Sequence, residues 1–273
     1  MLSLTSDYRQ GTGNPEPYLR DMAAHGFTHV HWCHQWNTDF LYTPSEIRQI
    51  GRWLKAYGVQ LLDLHGSVGP EKCWFSLFEH ERRAGVELVR NRIAMAARLG
   101  SDVVIMHALR WQPDTEGNPE RWPQLLRSLD ALEPYARCHG VRLAIENMPA
   151  DDFAGIYRLF AAYGPEYLGL CYDSGHGNDG EGLSHLQTVK DRLISIHLHD
   201  NDGSGDQHLV PFAGTVDWPR LAGILASASY AKCVSMESNM GAFGSDDEEA
   251  FLRQAYAGGT RVAEMIAHAK ELA

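Results

Sequence analysis

The amino-acid sequence predicts a single-domain (β/α)8 TIM barrel that spans residues 1–273. Two observations carry this prediction. Short apolar runs alternate with longer amphipathic stretches eight times along the chain, which is typical of a parallel sheet with helical crossovers. No linker rich in Pro, Gly or Ser divides the sequence, and α/β barrels reach this length as one domain. An open doubly wound sheet is the alternative, but no GxGxxG turn follows the first apolar run.

Local signals support most of the predicted elements. A Thr-Pro-Ser-Glu run from Thr43 places a proline and an acid in a first helical turn, and Asp217 offers a helix cap. Gly58, Gly100 and Gly140 each follow a helical stretch and precede a strand, as C-terminal caps do. The predicted strands are Leu2–Ser6, Thr28–Cys33, Val59–His65, Asp102–His107, Val141–Asn147, Tyr167–Asp173, Leu193–His199 and Lys232–Ser238. The predicted helices cover 15–25, 45–57, 80–99, 119–139, 151–163, 182–191, 217–228 and 247–271.

Composition excludes several classes of protein. The 24 Lys and Arg residues against 35 Asp and Glu give a net charge of −11, so the chain as a whole repels nucleic acids. Apolar runs are too short for a transmembrane helix, and the first residues do not resemble a secretory signal. The five cysteines are scattered and never spaced as CxxC, which favours reduced thiols and a cytoplasmic location. The high count of 14 histidines is the most unusual feature.

Six consecutive strands are predicted to end in a histidine or a carboxylate. The strand-end residues are His65, His107, Glu146, Asp173 with His176 close behind, His197 with His199, and Glu237. In a (β/α)8 barrel the carboxyl ends of the strands form the catalytic face. The pattern therefore places these side chains around one mouth.

Strand periodicity predicts which way these side chains point, because alternate residues face opposite sides of a sheet. In the seventh strand, Ile194 and its alternate neighbours would face the helices. Ser195, His197 and His199 would face the barrel axis. Asp63 precedes His65 by two positions in the third strand and is expected to share its inward face.

The converging carboxylates indicate a metal site. A single inward His or Glu is more often a hydrogen-bonded core residue, but Glu146, Asp173 and Glu237 together would repel one another strongly. A divalent cation removes that cost, and mixed imidazole and carboxylate ligands suit Zn, Mn or Fe, with Mg as a further option. Asp206 and His208, in the loop after the seventh strand, would share one side of an extended chain, although a solvated surface loop explains this spacing equally well.

Three motifs resemble the xylose isomerase-like TIM barrel superfamily, which includes sugar-phosphate isomerases and epimerases and also endonuclease IV. They are IENMP, the DSGH turn, and the segment IHLHDNDGSGDQHLVPFAGTVDW. The resemblance extends from the first strand to the last helix. It implies a metal-dependent enzyme acting at the carboxyl ends of the strands.

The resemblance also implies roles for individual residues. In the isomerase branch one divalent cation is held by residues matching Glu146, Asp173, His197 and Glu237, while His176 contacts substrate. In the endonuclease-like branch, three zincs take further ligands, and the matching positions here are His65, His107, His176, Asp206 and His208. His199 stands where the hydrolases tend to have Asn, which leaves open whether His197 or His199 is the ligand, and PFAGT replaces the more usual PGEG.

Charge on the predicted catalytic face argues against a DNA substrate, because a nuclease must neutralise several phosphates. The loops after the strands offer only Arg9, Lys72 and Arg110 as clear cations. Any of these would suit one phosphate or carboxylate of a small molecule. The acids of the same loops are Asp39, Asp179, Glu181, Asp202, Asp206 and 246–249.

The same loops are rich in aromatic side chains, which suit the C–H face of a sugar and exclude water. A lid packed on itself, or a homodimer contact, would use them equally well. The aromatic residues are Trp36, Phe40, Trp74, Phe75, Trp111 and Phe243. The predicted substrate contacts are His107, His176, His199, Trp36, Trp111 and Arg110.

The sequence therefore predicts a metal-dependent isomerase or epimerase of a sugar or sugar phosphate. Glu146 and Glu237, from strands across the mouth, would remove and return a proton next to a carbonyl through a metal-stabilised enediolate. His176 would assist by orienting a hydroxyl. One alternative is a multi-zinc phosphodiesterase like endonuclease IV, and a second is a barrel that binds a ligand without turnover. Neither nucleic acid nor a membrane is an expected partner.

Overall fold

A computed structural model describes residues 1–108, 118–178 and 180–272. In these ranges eight strands alternate with eight α-helices. The strands are β1 Leu2–Thr5, β2 His29–Trp32, β3 Gln60–His65, β4 Val103–Met106, β5 Arg142–Glu146, β6 Leu168–Asp173, β7 Leu193–His197 and β8 Val234–Met236. The helices are α1 Glu16–Ala24, α2 Pro44–Tyr57, α3 Glu79–Leu99, α4 Asn118–His139, α5 Ala154–Ala162, α6 Gly182–Val189, α7 Trp218–Ser227 and α8 Glu248–Glu271.

The strands form one parallel barrel in sequence order. Each strand pairs with the next from β1 to β7, and β1 also pairs with β8. At the seam between β7 and β8, the Leu198 N–H donates to Ser235 O at 2.9 Å and the Glu237 N–H donates to Leu198 O at 3.0 Å. The predicted single-domain (β/α)8 barrel is therefore confirmed.

Apolar side chains fill two separate layers. The main core lies between strands and helices and includes Ile196 and Leu198, as strand periodicity predicts. A smaller cluster joins Val103, Ile105, Ala144 and Cys171 with Ile194. The prediction that Ile194 faces the helices is wrong. The pairing of β6 with β7 shifts at this point, so that Leu193 and Ser195 pair with consecutive residues of β6 and the intervening Ile194 is an extra residue. Such a bulge turns a side chain out of the alternation.

Several elements are shorter than the sequence predicts. β7 ends at His197, because the chain beyond it turns to form an antiparallel bridge between Asp200 and Leu209. β8 ends at Met236. Helix α5 begins at Ala154 because the aspartates ahead of it accept hydrogen bonds from the N–H groups of Phe153 and Ala154. Among the described residues, no helix combines the length and apolar character that a transmembrane span requires.

Arg92 of α3 anchors the loop between β2 and α2. Its side chain is fully buried. One of its terminal nitrogens, Nη2, donates to Phe40 O at 3.0 Å, to Gln35 O at 3.2 Å and to Ser67 Oγ at 2.8 Å. Buried carbonyl groups need such donors, since an unpaired one costs free energy. The loop held in this way carries Trp36 to the barrel mouth.

We expect Arg92→Met to lower the free energy of unfolding by about 2–4 kcal/mol, because Phe40 O, Gln35 O and Ser67 Oγ each lose a donor that is itself fully buried. Urea denaturation followed by circular dichroism measures the change. Arg83→Met is the matched control on the same helix, since the Arg83 side chain is 75% exposed and makes a surface ion pair with Glu79. The control should change stability little. Equal effects of the two substitutions would contradict the role of Arg92.

Candidate metal centre and active site

The predicted strand-end residues lie together at the carboxyl end of the barrel. Glu146 ends β5, Asp173 ends β6 and His197 ends β7. All three are buried. His107 and Glu237 follow one residue after β4 and β8. This is the end of a (β/α)8 barrel at which functional groups collect.

The imidazole of His197 lies between the two glutamates. Its Nδ1 atom is 2.7 Å from Glu146 Oε1 and 3.1 Å from Glu237 Oε2. Glu146 is almost fully buried, whereas 13% of the Glu237 side chain is exposed toward the mouth. Two carboxylates from β5 and from the end of β8 thus meet at one nitrogen atom.

The second oxygen of Glu146 faces two further histidines. Oε2 lies 3.1 Å from His107 Nε2 and 3.3 Å from His65 Nε2. Neither contact has hydrogen-bond geometry, and Oε2 has no hydrogen-bond partner among the described residues, so the two imidazoles act on it as charged neighbours. The His65 ring is oriented by its Nδ1, which lies 2.9 Å from Gly66 O. Trp36 covers both rings, with ring centroids 4.7 Å from His65 and 5.1 Å from His107.

Neighbouring imidazoles decide the ionisation of the two glutamates. Burial acts to raise the pKa of Glu146, but His197, His107 and His65 together hold that pKa well below its ordinary value. Burial acts in the same way on Glu237, whose pKa is also held well below its ordinary value, mainly by His197. Both side chains are therefore carboxylates at neutral pH.

The DSGH turn folds back on Asp173. Asp173 Oδ1 accepts a hydrogen bond from the His176 N–H at 2.7 Å and lies 3.0 Å from His199 Nε2. The turn requires glycine at position 175, because a Cβ atom there would lie 1.9 Å from His199 Cε1. Asn147 ties the turn to β5, since its side chain accepts from the Asp173 N–H at 2.8 Å and donates to Asp173 O at 3.0 Å.

Asp206 joins His176 to His208. Its two carboxylate oxygens lie 3.2 Å from His176 Nε2 and 3.3 Å from His208 Nε2. Burial acts to lower the pKa of both histidines, but the surrounding carboxylates raise each pKa to about 10. The pKa of Asp206 is correspondingly lowered, against the effect of its burial, by the same two imidazoles. His199 stacks on His208 with ring centroids 4.1 Å apart.

The structure separates the two histidines of the seventh strand. His197 faces Glu146 and Glu237, whereas His199 faces Asp173. His199 is fully buried, and this position favours a ligand or a positioning role over the predicted contact with substrate. Asp173 lies with His176 and His199 rather than at His197, so the four residues proposed as ligands form two adjacent groups.

The structure places only some of the predicted loop residues at the mouth of the barrel. Arg110 and Trp111 lie outside the described residues. Trp74 is fully buried, so a contact of its ring with substrate is excluded. Arg9 pairs with Glu248, and Lys72 Nζ donates to Asp39 O at 3.0 Å. Trp36 is the predicted substrate-facing aromatic that the structure places against the histidines.

Sequence reasoning overlooked His31 and Cys33 at the end of β2. His31 is fully buried, and its Nδ1 lies 2.7 Å from Asp63 Oδ1. The signal was present, since His31 and Cys33 alternate in an HVHWC run just as His197 and His199 do in the IHLH run. Asn147 was also overlooked, because an amide inside a predicted strand carries no distinctive pattern.

Comparison with known proteins decides the family. The model of the family described as xylose isomerase-like TIM barrel matches residues 19–255. The chain belongs to this family. The uncharacterised protein y4fM of Sinorhizobium fredii is 32% identical over 276 residues, an alignment that covers 91% of this chain and 88% of that protein.

Two solved structures with a similar fold have names that refer to sugar epimerases. A D-tagatose 3-epimerase-like protein superposes with a TM-score of 0.79 at 20% identity and covers 99% of this chain and 98% of its own. An L-ribulose 3-epimerase superposes with a TM-score of 0.78 at 16% identity and covers 99% of this chain and 96% of its own. At these identities, the likeness establishes a shared fold.

The contacts of Asp206 with His176 and His208 predict that the stability of the metal-free protein depends on pH. His176 and His208 have raised pKa values near 10 against an ordinary 6.5, so they stabilise the fold below pH 6.5 and lose this effect as pH rises through about 10. Asp206 has a lowered pKa, so its stabilising effect is complete above its ordinary pKa of 3.8 and is lost as pH falls below that value. The free-energy difference between wild type and Asp206→Asn should therefore peak between pH 3.8 and 6.5.

Urea denaturation of chelator-treated protein across this pH range checks the expectation. Asp202→Asn is the matched control in the same loop, because Asp202 contacts Ser204 and Gln207 rather than a histidine. The Asp206 difference should fall toward zero near pH 10, while the Asp202 difference should not change over the alkaline range. A constant Asp206 difference would contradict the ion pairs described above.

Proposed function

We propose that the chain is a divalent-metal-dependent sugar isomerase or epimerase that transfers a proton at a carbon next to a carbonyl. The observation that carries the proposal is the meeting of two carboxylates, buried Glu146 and partly exposed Glu237, at His197 Nδ1. Their sources in β5 and after β8 let them address opposite faces of a bound carbon. The L-ribulose 3-epimerase and the D-tagatose 3-epimerase-like protein, which have a similar fold, support this proposal.

The residues present fit a divalent cation. Glu146 Oε1 and Glu237 Oε2 both lie within 3.1 Å of His197 Nδ1, and placing two carboxylates so close together out of water is costly unless a cation compensates them. The donor set of carboxylate oxygens and imidazole nitrogens suits Zn, Mn or Fe, and Mg remains an option. We assign Glu146, His197 and Glu237 as ligands, with Asp173 as the fourth. A bound cation would polarise the carbonyl and hydroxyl oxygens of the sugar.

The protein's own groups would move the proton. Glu146 removes it from one face of the carbon and Glu237 returns it on the other. His107 and His176 lie beside Glu146, where they would orient hydroxyl groups. Trp36 covers this side of the mouth and would exclude water from the reacting carbon. The substrate would be a free or phosphorylated sugar.

Hydrogen exchange tests the proposed role of Glu146. In deuterated water, the metal-loaded protein should place solvent deuterium next to the carbonyl of a ketose, with D-tagatose and L-ribulose as probes. Glu146→Gln should slow this exchange by at least about 100-fold, because an amide does not accept the proton. Nuclear magnetic resonance of the recovered sugar measures it. Glu71→Gln, at an exposed glutamate of the loop after β3, should leave the exchange unchanged.

Exchange that persists in full in Glu146→Gln would contradict the proposed base. Binding of a sugar by metal-loaded wild type, with no exchange of any probe, would instead favour a ligand-binding barrel without turnover. Metal content measured on the same samples separates a lost base from a lost cation.

A second candidate, a multi-zinc phosphodiesterase, is favoured by the two further ligand clusters. One comprises His65, His107 and Glu146, and the other centres on Asp206 between His176 and His208. Both match the endonuclease-like ligand positions in the sequence. In such an enzyme, a metal lowers the pKa of water to about 7 for attack on phosphorus. The scarcity of cations in the catalytic-face loops stands against a DNA substrate.

Metal stoichiometry distinguishes the two candidates. An isomerase should hold one catalytic cation and keep its exchange activity in Asp206→Ala. A phosphodiesterase should hold zinc in both further clusters, cleave a duplex with an abasic site, and lose that cleavage in Asp206→Ala. Elemental analysis combined with the two activity assays gives the answer. Cytoplasmic location and homodimer formation stay predictions from the sequence.

A further inference from the structure

A third group of ligand atoms lies around Glu237 Oε1, next to His197, whose ring centroid is 4.2 Å from that of His31. Cys33 Sγ is 2.8 Å from His31 Nε2 and 3.7 Å from Glu237 Oε1. His31 Nε2 is 3.8 Å from the same oxygen. His31 and Cys33 are both buried. Neither the proposed isomerase nor the alternative phosphodiesterase uses them.

The register of β2 and β3 creates this group. The pairing shifts between Val30 and His31, which places His31 directly opposite Asp63. Asp63 Oδ1 then lies 2.7 Å from His31 Nδ1, and Ser195 Oγ donates to Asp63 Oδ2. Because Nδ1 is committed to the carboxylate, the Nε2 atom of His31 is the one that faces Cys33 and Glu237.

This arrangement is the one that metal-binding histidines show. Such a histidine donates its other ring N–H to a carboxylate, which fixes the ring and increases the basicity of the ligating nitrogen. Here Asp63 is the carboxylate, and Ser195 holds Asp63 in place.

The two carboxylate oxygens of Glu237 face different groups of residues. Oε2 faces His197 Nδ1 at 3.1 Å, whereas Oε1 faces His31 and Cys33. Glu146 divides its oxygens in the same way between His197 and the pair of His65 and His107. Each glutamate therefore has one oxygen at His197 and one available to a separate ligand pair.

We propose that His31 Nε2, Cys33 Sγ and Glu237 Oε1 form a thiolate-containing site for a zinc-class divalent cation, separate from the site at Glu146 and His197. A tetrahedral zinc with bonds of about 2.0–2.3 Å holds its ligand atoms roughly 3.4–3.6 Å apart. The two contacts of Glu237 are close to this spacing, and the Cys33 and His31 atoms need to separate by roughly 0.8 Å. On binding, the Cys33 thiol loses its proton to solvent as the sulfur–metal bond forms.

Cobalt substitution tests the site independently of any sugar chemistry. Thiolate bound to Co²⁺ absorbs in the near ultraviolet through charge transfer, whereas histidine and carboxylate ligands do not produce this band. Wild type loaded with Co²⁺ should show the band. Cys33→Ser should lose the band together with one bound cobalt per chain, as measured by elemental analysis.

Two other buried cysteines provide controls. Cys233→Ser should keep the band, because Cys233 lies in the core near Tyr230. Cys171→Ser should also keep it, and this control is the sharper one since Cys171 lies near Glu146 and His197. A band that disappears with Cys171 rather than with Cys33 would assign the thiolate to a different site and overturn the proposal.

Zinc-loaded wild type tests the site even if Cys33→Ser does not fold. X-ray absorption of this protein should show sulfur among the zinc neighbours, and its absence would overturn the proposal. Cys33→Ala is the second variant, with the same expected loss as Cys33→Ser. Sugar exchange is measured separately, so failure of the cobalt test leaves the proposed isomerase standing, and failure of the exchange test leaves this site standing.

Discussion

The contact of Glu146 and Glu237 with one imidazole is the constraint on which the site depends. Burying two carboxylates side by side is costly unless positive charge or a cation compensates them. His197 supplies part of that compensation, since its Nδ1 lies within 3.1 Å of both. The barrel makes the contact possible at its seam, where Leu198 exchanges backbone hydrogen bonds with Ser235 and Glu237 and so fixes Glu237 beside β7.

Around this contact, the histidines are oriented by a common device. Nδ1 of His65 lies 2.9 Å from Gly66 O, Nδ1 of His176 lies 2.8 Å from Asn147 O, and Nδ1 of His208 lies 2.7 Å from Glu237 O. In each case the backbone carbonyl fixes the ring, and Nε2 faces a carboxylate of Glu146 or Asp206. The backbone at the strand ends thereby presets the imidazoles, which lowers the cost of ordering them when a cation binds.

Strand alternation accounts for what the sequence could predict and for where the prediction stopped. A period of two placed Glu146, His197 and Glu237 at one mouth because it follows from strand geometry alone. It did not place Ile194, nor the pairing of His31 with Asp63, because both depend on bulges that shift the register. The burial of Trp74 was also beyond the pattern, since an aromatic residue in a loop carries no periodic signal for the side it faces.

The two Glu146 oxygens distinguish proton transfer at carbon from activation of water more sharply than the set of ligand residues does. What matters is whether a cation would bind one of these oxygens or both. A general base needs a lone pair that no cation holds. A cation held by His197 and Glu146 would leave the other Glu146 oxygen, beside His65 and His107, free to accept a substrate proton. A second cation at Oε2 would occupy that lone pair, and the same residues would then be fitted to activate water rather than to remove a proton from carbon. If the proposed metal centre is correct, the identity of the reaction would depend on how many cations the clustered histidines hold at once.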